Sequence, residues 1–288
     1  MTIWNLGSIN ADFIYSVPHL PVGGETLTST DRLTFLGGKG ANMSVAVARA
    51  AGQVHHIGAV GHDGLWLRDR LLEYGVDVRH VATLQTETAQ AIILVAADGE
   101  NSIVLHRGAN GQIALADVQA ALSSASTGDW LLLQNETNQQ VDAARLAKRM
   151  GLRICYAAAP YEQEAIAAVL PYLDLLMLNE VEAAQFSSAS GVDLRELPVA
   201  DIIVTEGAAG ATWYHRGQAQ HFDAHKVNVV DTTGAGDTFT GYVVACLDRG
   251  QPMAQAISTA MKAAALMVQR RGTADVIPDL ADVRDFTG

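Results

Sequence analysis

The sequence predicts an α/β protein in which a mostly parallel sheet is covered by helices on both faces. Short β-type runs alternate with helix-type runs along most of the 288 residues, beginning with a strand at 2–7, a helix at 41–51 and a strand at 54–60. Glycine, which favours the end of a helix, follows two helix-type runs at Gly52 and Gly75. Repeated βα units of this kind produce parallel strands with helices on both faces of the sheet.

The same alternation continues through the middle of the chain and predicts one domain over residues 1–288. No internal repeat or interdomain linker interrupts it, and the chain from Asp237 onward is predicted to be largely helical. The further runs are 64–74 (helix), 130–134 (strand), 139–150 (helix) and 153–157 (strand), followed by 173–178, 181–186 and 202–205.

Two stretches break this alternation, at about 12–36 and 88–107. The first contains prolines and the Gly23-Gly24 turn between β-prone pieces, and the second alternates like a hairpin around Asp98-Gly99. Neither stretch contains a helix that could cover it. We therefore expect them to form one small β-sheet beside the main domain.

Composition and charge exclude several classes of protein. Hydrophobic residues make up 49% of the chain and charged residues 17%, which allows a large core and excludes a disordered chain. The net charge of −12 argues against nucleic acid or an anionic membrane as a partner, but an anionic substrate can still be held by backbone amides. Cys155 and Cys246 lie in apolar runs and are predicted to be buried free thiols. Without a signal-peptide pattern or an apolar run of about 20 residues, the expected location is the cytoplasm.

The segment 231–241, Asp-Thr-Thr-Gly-Ala-Gly-Asp-Thr-Phe-Thr-Gly, carries the strongest chemical signal. Gly234, Ala235 and Gly236 form a turn that leads into a helix, so that several unpaired N–H groups and the helix dipole create an anion hole. Asp237 lies in the first helical turn, where it could accept a proton from a substrate hydroxyl. The alternative is an ordinary glycine turn with a helix-capping aspartate.

Two other segments suggest a ligand less specifically. The glycine-rich run 37–42 is neither a P-loop nor a dinucleotide fingerprint, but Gly38 allows close backbone approach, and Lys39 and Asn42 supply donors. Asn10 and Asp12 are two residues apart after the first strand, so their side chains point the same way and suit vicinal hydroxyls. A flexible turn and a polar strand end are the respective alternatives.

Together these segments resemble the ribokinase-like sugar kinases, the phosphofructokinase-B group. The segments 231–241 and 37–42 are similar to the two signatures of that family, and 7–12, 106–110 (His-Arg-Gly-Ala-Asn) and 179–182 (Asn-Glu-Val-Glu) are similar to further family segments. The order and spacing hold across nearly the whole chain. The resemblance implies a ribokinase-like fold whose small sheet is a lid over the sugar, and a homodimer that forms through the lid.

The resemblance also implies residue roles in an ATP-dependent kinase. Asp237 would be the general base, and the amides of Gly234, Ala235 and Gly236 would hold charge on the transferred phosphoryl group. The residues implied to bind the sugar are Asn10, Asp12, Gly38, Lys39, Asn42, Glu136 and Asp237. Those implied to bind the nucleotide are Asn179, Thr205, Gly207, Gly210 and Lys262.

Magnesium (Mg²⁺) and potassium (K⁺) are the metals that the resemblance implies. Glu182 would act on Mg²⁺ through water, since this ion keeps much of its hydration shell. The alternative is a capping pattern, with Asn179 as the cap and an exposed Glu182. The residues implied at the K⁺ site are Asp231, Thr233, Met267, Arg270, Gly272 and Val276. Val276 departs from the family, in which a hydroxyl residue is usual.

The acceptor is the point on which the resemblance leaves alternatives. D-ribose, phosphorylated on its primary hydroxyl, is the first hypothesis, and a nucleoside, fructose or a keto-deoxy sugar acid is the second. A sugar-binding regulator without catalysis is a third, which the retained Asp237 and glycine turn disfavour. A structural zinc site among the nine histidines is not expected, because no His-Glu-x-x-His or cysteine pairing accompanies them.

Overall fold

The structure, a computed structural model, describes residues 1–287 and contains thirteen strands in that range. They are β1 (Ile3–Leu6), β2 (Asn10–Val17), β3 (Asp31–Gly37), β4 (Val54–Gly61), β5 (Asp77–Leu84), β6 (Ala89–Ala96), β7 (Asn101–His106), β8 (Trp130–Gln134), β9 (Arg153–Ala157), β10 (Leu175–Asn179), β11 (Asp201–Thr205), β12 (Gly210–His215) and β13 (Gln218–Asp223).

Nine α-helices accompany these strands within the described residues. They are α1 (Lys39–Arg49), α2 (Leu65–Glu73), α3 (Leu115–Leu122), α4 (Gln140–Met150), α5 (Gln163–Val169), α6 (Glu180–Ser190), α7 (Ala235–Asp248), α8 (Met253–Met267) and α9 (Leu280–Asp285).

Nine strands form one large sheet in the order β13-β12-β11-β10-β9-β8-β1-β4-β5. The seven strands β11, β10, β9, β8, β1, β4 and β5 pair in parallel in that order. β12 pairs antiparallel with β11 and with β13 at one edge of the sheet. Two large hydrophobic clusters lie on the two faces of this sheet, one beneath α1, α7 and α8 and the other beneath α3 to α6. The predicted α/β fold, with a mostly parallel sheet covered on both faces, is confirmed.

Four strands form a separate small sheet in the order β3-β2-β6-β7. β2 pairs antiparallel with β3 and parallel with β6, and β6 pairs antiparallel with β7. These strands cover the two stretches that break the helix–strand alternation, except that β2 begins at Asn10 and β3 ends at Gly37, just outside the predicted range of about 12–36. Gly99 makes the expected turn with a φ of 90°. The second small sheet is therefore present, and its action as a lid stays a prediction.

The point where the large sheet reverses its winding positions the site. β1 is central: β4 and β5 follow on one side, and β8 to β11 follow on the other. In such sheets, ligands bind outside the carboxyl ends of the strands at this reversal. Here that position is where the chain leaves β1 at Gly7 and β8 at Asn135.

Cys155 and Cys246 are both free and buried. In the described range, the helices are too short or too polar to cross a membrane.

Candidate active site

Glu136 joins the segments that leave β1 and β8 to the start of α1. Its carboxylate accepts a hydrogen bond from the Ser8 hydroxyl and another, 3.0 Å long, from the backbone N–H of Lys39. The Ser8 hydroxyl in turn accepts from the N–H of Gly40 at 3.1 Å. The predicted sugar residues Lys39 and Glu136 are thus brought together at the reversal of the sheet.

Asn10 and Asp12 lie at the beginning of β2 in the small sheet, which is a separate strand from β1. The amide oxygen of Asn10 accepts from Asn110 Nδ2 at 2.8 Å, and Asn110 Oδ1 accepts from the N–H of Ile9 at 3.0 Å. Because the two positions are still two residues apart on a strand, their side chains share one face.

One carboxylate oxygen of Asp12 accepts no hydrogen bond in the described residues. Its Oδ1 atom is buried and has no hydrogen-bond partner within residues 1–287. A Cβ atom at Gly37 would lie only 1.9 Å from Asp12 Oδ2, so glycine is required there for the carboxylate to fit. A buried carboxylate oxygen without a partner is costly, and a sugar hydroxyl would satisfy it.

Asn42 connects the first turn of α1 to the start of α7. Its Nδ2 atom donates to Asp237 Oδ2 at 2.9 Å, while its Oδ1 is buried without a partner in the part of the chain that is described. Gly38 has a φ of 94°, and a Cβ atom on it would lie 2.9 Å from the carbonyl oxygen of Ser8. The glycine therefore allows the left-handed turn that places Asn42 against Asp237.

The glycine turn before α7 leaves backbone N–H groups without hydrogen-bond partners in the described residues. Gly234 caps the helix with a φ of 75°, and a Cβ atom on Gly236 would meet open space. In the described structure the N–H groups of Gly234 and Gly236 make no hydrogen bond, whereas that of Ala235 donates to the carbonyl of Thr232 at 3.2 Å. Two of the three predicted amides are thus available to an anion, and Ala235 is engaged in the turn itself.

Lys39 is the cation among several carboxylates. Asp237 is the main cause that raises the pKa of Lys39, and Glu136, Glu182 and Asp12 raise it further against the effect of burial. Burial, followed by the charges of Glu136 and Asp237, raises the pKa of Asp12 to about 7. Burial likewise raises the pKa of Asp237, against Lys39 and the hydrogen bond from Asn42. Paired titratable groups with shifted pKa values are typical of acid–base sites.

Asn179 and Glu182 form the capping box of α6. Asn179 Oδ1 accepts from the N–H of Glu182 and Glu182 Oε2 accepts from the N–H of Asn179, both at 2.8 Å. The alternative of a capping pattern is thus correct for the hydrogen bonds. It is wrong for the exposure of Glu182, because this side chain is buried. Burial raises the pKa of Glu182, the hydrogen bond from Asn179 and the charge of Lys39 lower it, and the charge of Asp237 raises it further.

The predicted nucleotide residues lie in two places. Thr205 ends β11, Gly207 lies in the turn that follows with a φ of 55°, and Gly210 begins β12 with a φ of 119°. A Cβ atom on Gly210 would lie 2.0 Å from the carbonyl oxygen of Phe222, so this turn needs glycine. Lys262 lies in α8, where its ammonium group donates to the carbonyl of Phe286 at 3.0 Å.

Asp231 ties together the two loops of the predicted monovalent-cation site. Its Oδ1 accepts from the N–H of Thr233 at 2.9 Å and its Oδ2 from that of Gly272 at 3.3 Å. The carbonyl of Met267 accepts from the N–H of Arg270 at 3.0 Å. Val276 ends a 3₁₀ turn, and its Cγ1 would lie 3.1 Å from a Cβ atom at Gly272. The two loops are therefore adjacent, joined through the carboxylate of Asp231.

Residues 1–287 hold no group of three or more His, Cys, Asp and Glu side chains that could bind a metal ion. His56 instead forms hydrogen bonds inside the core with Ser44 and the carbonyl of Gly7.

Sequence reasoning gave no role to Ser8 and Asn110. Ser8 holds Glu136, and Asn110 orients Asn10. Both residues occur in the segments that carry the family resemblance, but their spacing alone does not distinguish a ligand from a residue that orients one.

Comparison with known proteins agrees with this geometry. Residues 3–280 match the pfkB family carbohydrate kinases. The chain is 33% identical over 300 residues to the ribokinase of Haemophilus influenzae, covering 99% of this chain and 98% of that protein.

Two solved structures share the fold over nearly the full length. One is the ribokinase of Cryptococcus neoformans in complex with ADP, with a TM-score of 0.87, 33% identity and coverage of 99% of this chain and 98% of the other. The second is the ribokinase of Arabidopsis thaliana complexed with ribose and ATP, with a TM-score of 0.87, 26% identity and coverage of 98% and 97%. The resemblance inferred from the motifs is confirmed: the chain belongs to the pfkB family of carbohydrate kinases.

Proposed function

We propose that this protein transfers the γ-phosphoryl group of ATP to the primary hydroxyl of D-ribose and forms ribose 5-phosphate. The observation that carries the proposal is the Oδ1 atom of Asp12, which is buried and has no hydrogen-bond partner within residues 1–287. A polyhydroxyl acceptor supplies the donors that this site lacks. The ribokinases among the related proteins support ribose as that acceptor.

Asp237 would act as the general base. Asn42 fixes its Oδ2 at 2.9 Å, which leaves Oδ1 to take the proton of the primary hydroxyl. The hydroxyl oxygen then attacks the γ-phosphorus, and ADP leaves. The free N–H groups of Gly234 and Gly236 at the start of α7 would stabilise the charge that develops on the phosphoryl oxygens.

The remaining predicted residues divide between the two substrates. Asn10, Asp12, Gly38, Lys39, Asn42 and Glu136 would surround the sugar, and Asn179, Thr205, Gly207, Gly210 and Lys262 would lie along the nucleotide. Of the second group, Lys262 would have to release the carbonyl of Phe286 to contact ATP.

Glu182 fits a role on Mg²⁺ through water. One carboxylate oxygen is engaged in the capping box, so the side chain offers a single oxygen to a hydrated ion. Mg²⁺ would neutralise charge on the ATP phosphates during transfer.

The pH dependence of the reaction follows from Asp12. We expect kcat/KM for ribose to fall about tenfold per pH unit below about 7, because the ionised carboxylate accepts sugar hydroxyls and its pKa is raised to about 7. The rate falls toward acid pH because, below a pKa of about 7, the Asp12 carboxylate is protonated and the form that binds sugar is lost. Initial rates at subsaturating ribose measure the profile.

The variant Asp12→Asn is the control for this assignment. It should remove the titration near pH 7 that we assign to Asp12. An unchanged midpoint in this variant would assign the titration to another group.

We further propose that K⁺ activates the enzyme at the loops joined by Asp231, where its charge would add positive field beneath the anion hole. We expect kcat to be several-fold higher in potassium than in a large organic cation at matched ionic strength. Carbonyls of Thr233, Met267, Arg270 and Gly272 are the proposed ligands, and Val276 offers a carbonyl without a side-chain hydroxyl.

We expect this activation to be weaker than in a relative that has a side-chain hydroxyl at the position of Val276, and potassium titrations of two variants test that reason. Val276→Ser should raise the affinity for potassium. Val276→Ala should not, because alanine is as small as serine but has no hydroxyl. Equal rates in the two cations would remove this site from the mechanism.

A homodimer through the small sheet is also proposed. β7 is an edge strand of that sheet, and three consecutive residues on it, Ile103, Val104 and Leu105, are 54%, 64% and 60% exposed. A contiguous apolar edge of this kind favours association with another strand edge. We propose the cytoplasm as the location, since ATP is available there and free thiols persist.

A panel of acceptors tests the proposed function. The purified protein is assayed for ATP consumption with D-ribose, fructose, a keto-deoxy sugar acid and several nucleosides. We expect the highest kcat/KM for ribose. A higher kcat/KM for a nucleoside would identify the nucleoside as the acceptor of the same phosphoryl transfer. No turnover with any acceptor would favour a sugar-binding regulator.

A further inference from the structure

Four polar side chains are fully buried beneath the predicted sugar site, within an otherwise apolar layer. Asn5, His56 and Gln134 lie on β1, β4 and β8, on the sheet face covered by α1, and Ser44 lies on α1. All four are 0% exposed. Because a buried polar group costs free energy unless it is hydrogen-bonded, such a cluster needs a reason to be retained. We call these four residues the Asn5 network.

Asn5 is the centre of this network. Its Oδ1 accepts from Gln134 Nε2 at 2.7 Å. Its Nδ2 donates twice, to the carbonyl oxygen of Gly40 and to the hydroxyl of Ser44, both at 2.7 Å. Three of the hydrogen bonds that an amide side chain can make are therefore formed, and the strand β8, the strand β1 and the helix α1 are joined at one point.

His56 continues the chain of hydrogen bonds to the end of β1. Since Ser44 already accepts from Asn5, its hydroxyl proton can be donated to His56 Nδ1, 2.8 Å away. His56 Nε2 then donates to the carbonyl oxygen of Gly7 at 3.0 Å. Burial lowers the pKa of His56 to about 4, which keeps the ring neutral with one donor and one acceptor, as this direction requires.

The network ends on two glycines that touch each other. A Cβ atom on Gly40 would lie 2.4 Å from the Cα of Gly7, and one on Gly7 would lie 2.6 Å from the Cα of Gly40. Any side chain at either position would force the two segments apart. The carbonyl oxygens of the same two residues are the two backbone atoms that the network holds.

Each segment joined by the network carries residues of the proposed sugar site. Ser8, which holds Glu136, follows Gly7 directly, and Lys39 precedes Gly40. Glu136 itself lies two residues after Gln134. The network therefore sets the spacing between the ends of β1 and β8 and the start of α1, where the acceptor would bind.

We propose that Asn5, Ser44 and His56 are positioning residues for phosphoryl transfer, which hold the Gly7 and Gly40 backbones in register so that Lys39, Asn42 and Glu136 meet the acceptor together. This inference rests on the proposed function for its kinetic readout. Displacements of about 1 Å in such a site can cost about a hundredfold in rate.

Asp129 provides a matched control, because it contacts the amino end of β1, opposite to the end that the Asn5 network holds. Asp129 is also buried, and its carboxylate accepts from the N–H of Thr2 at 2.9 Å and from Trp4 Nε1 at 3.2 Å. The variant Asp129→Asn thus weakens β1 without touching the carboxyl end of the sheet. It reports what loss of stability alone does to the kinetics.

The test compares Asn5→Leu and Ser44→Ala with Asp129→Asn, each assayed well below its unfolding temperature. We expect kcat/KM for ribose to fall about a hundredfold in Asn5→Leu and about tenfold in Ser44→Ala. The KM for ATP in both variants should stay within about twofold of the wild-type value. The kcat and KM values of Asp129→Asn should also stay within about twofold of wild type. Ser44→Ala is the variant that keeps the inference testable if Asn5→Leu does not fold, because alanine is favourable in a helix.

Hydrogen exchange gives a readout that does not depend on the acceptor. The N–H groups of Ala41 and Asn42, which donate to Ser8 at 2.8 Å and Gly38 at 3.0 Å, should exchange faster in Ser44→Ala than in Asp129→Asn. If wild type does not phosphorylate ribose, the proposed function fails while this comparison still decides the inference. Unchanged exchange at these amides, or kinetics like those of Asp129→Asn, would overturn the positioning role.

Discussion

Replacing Asp237 by asparagine is expected to lower kcat by about 10²–10⁴, the usual range for loss of a positioned general base. Asparagine can still accept the hydrogen bond that Asn42 donates to Asp237 at 2.9 Å, so the geometry at the start of α7 is kept. Affinities for ATP and sugar should therefore stay within a few-fold of wild type. Steady-state kinetics together with equilibrium binding of both substrates measure the two effects separately.

The matched control is Asp248→Asn, at the other end of α7. Asp248 is buried and lies 3.8 Å from the N-terminal amine, far along the helix from the glycine turn. This variant should keep kcat near the wild-type value. An Asp237→Asn variant that retains more than about a tenth of wild-type kcat would contradict the role of Asp237 as the base.

Replacing Asp12 by alanine is expected to weaken sugar binding by roughly 10- to 150-fold while ATP binding changes little. The expected loss is about 1.5–3 kcal/mol, as for a charged hydrogen-bonding group. The free energy of unfolding should not fall at neutral pH. The reason is that the Oδ1 of this carboxylate has no partner in the described chain and that burial raises its pKa to about 7.

Isothermal titration with ribose and with an ATP analogue measures both affinities for Asp12→Ala. Asp31→Ala serves as the control, since Asp31 is an exposed carboxylate on the neighbouring strand β3 of the same small sheet. Equal weakening of sugar and nucleotide in Asp12→Ala would show that β2 does not face the acceptor.

Much of the fold follows from local patterns, and the parts that do not are those with weak patterns. The alternation of apolar runs and helix-type runs predicts the parallel strands of the large sheet because both faces are buried. β5 mixes polar and apolar residues at an edge of the sheet, and β12 and β13 are partly or largely exposed, so none of the three has a strong apolar run. Their pairing depends on the rest of the sheet.

The site is predictable in its residue types and less so in its contacts. Motif spacing is sufficient to suggest Asp237 and the glycine turn, but not that Ala235 uses its amide within the turn. The small-sheet stretch was predicted from about residue 12, and its first strand begins two residues earlier, at Asn10. The buried hydrogen bonds of Asn5 join residues up to 129 positions apart, which no local pattern records.

Identification of the phosphorylated product tests the central claim most directly. Wild-type protein, ATP, magnesium and D-ribose are incubated, and the product is examined by ³¹P nuclear magnetic resonance for coupling of the phosphorus to the protons on C5. The account predicts ribose 5-phosphate and ADP in equal amounts, with neither formed by Asp237→Asn at a comparable rate. Phosphate on another carbon of the sugar, or ADP released without a phosphorylated sugar, would contradict it.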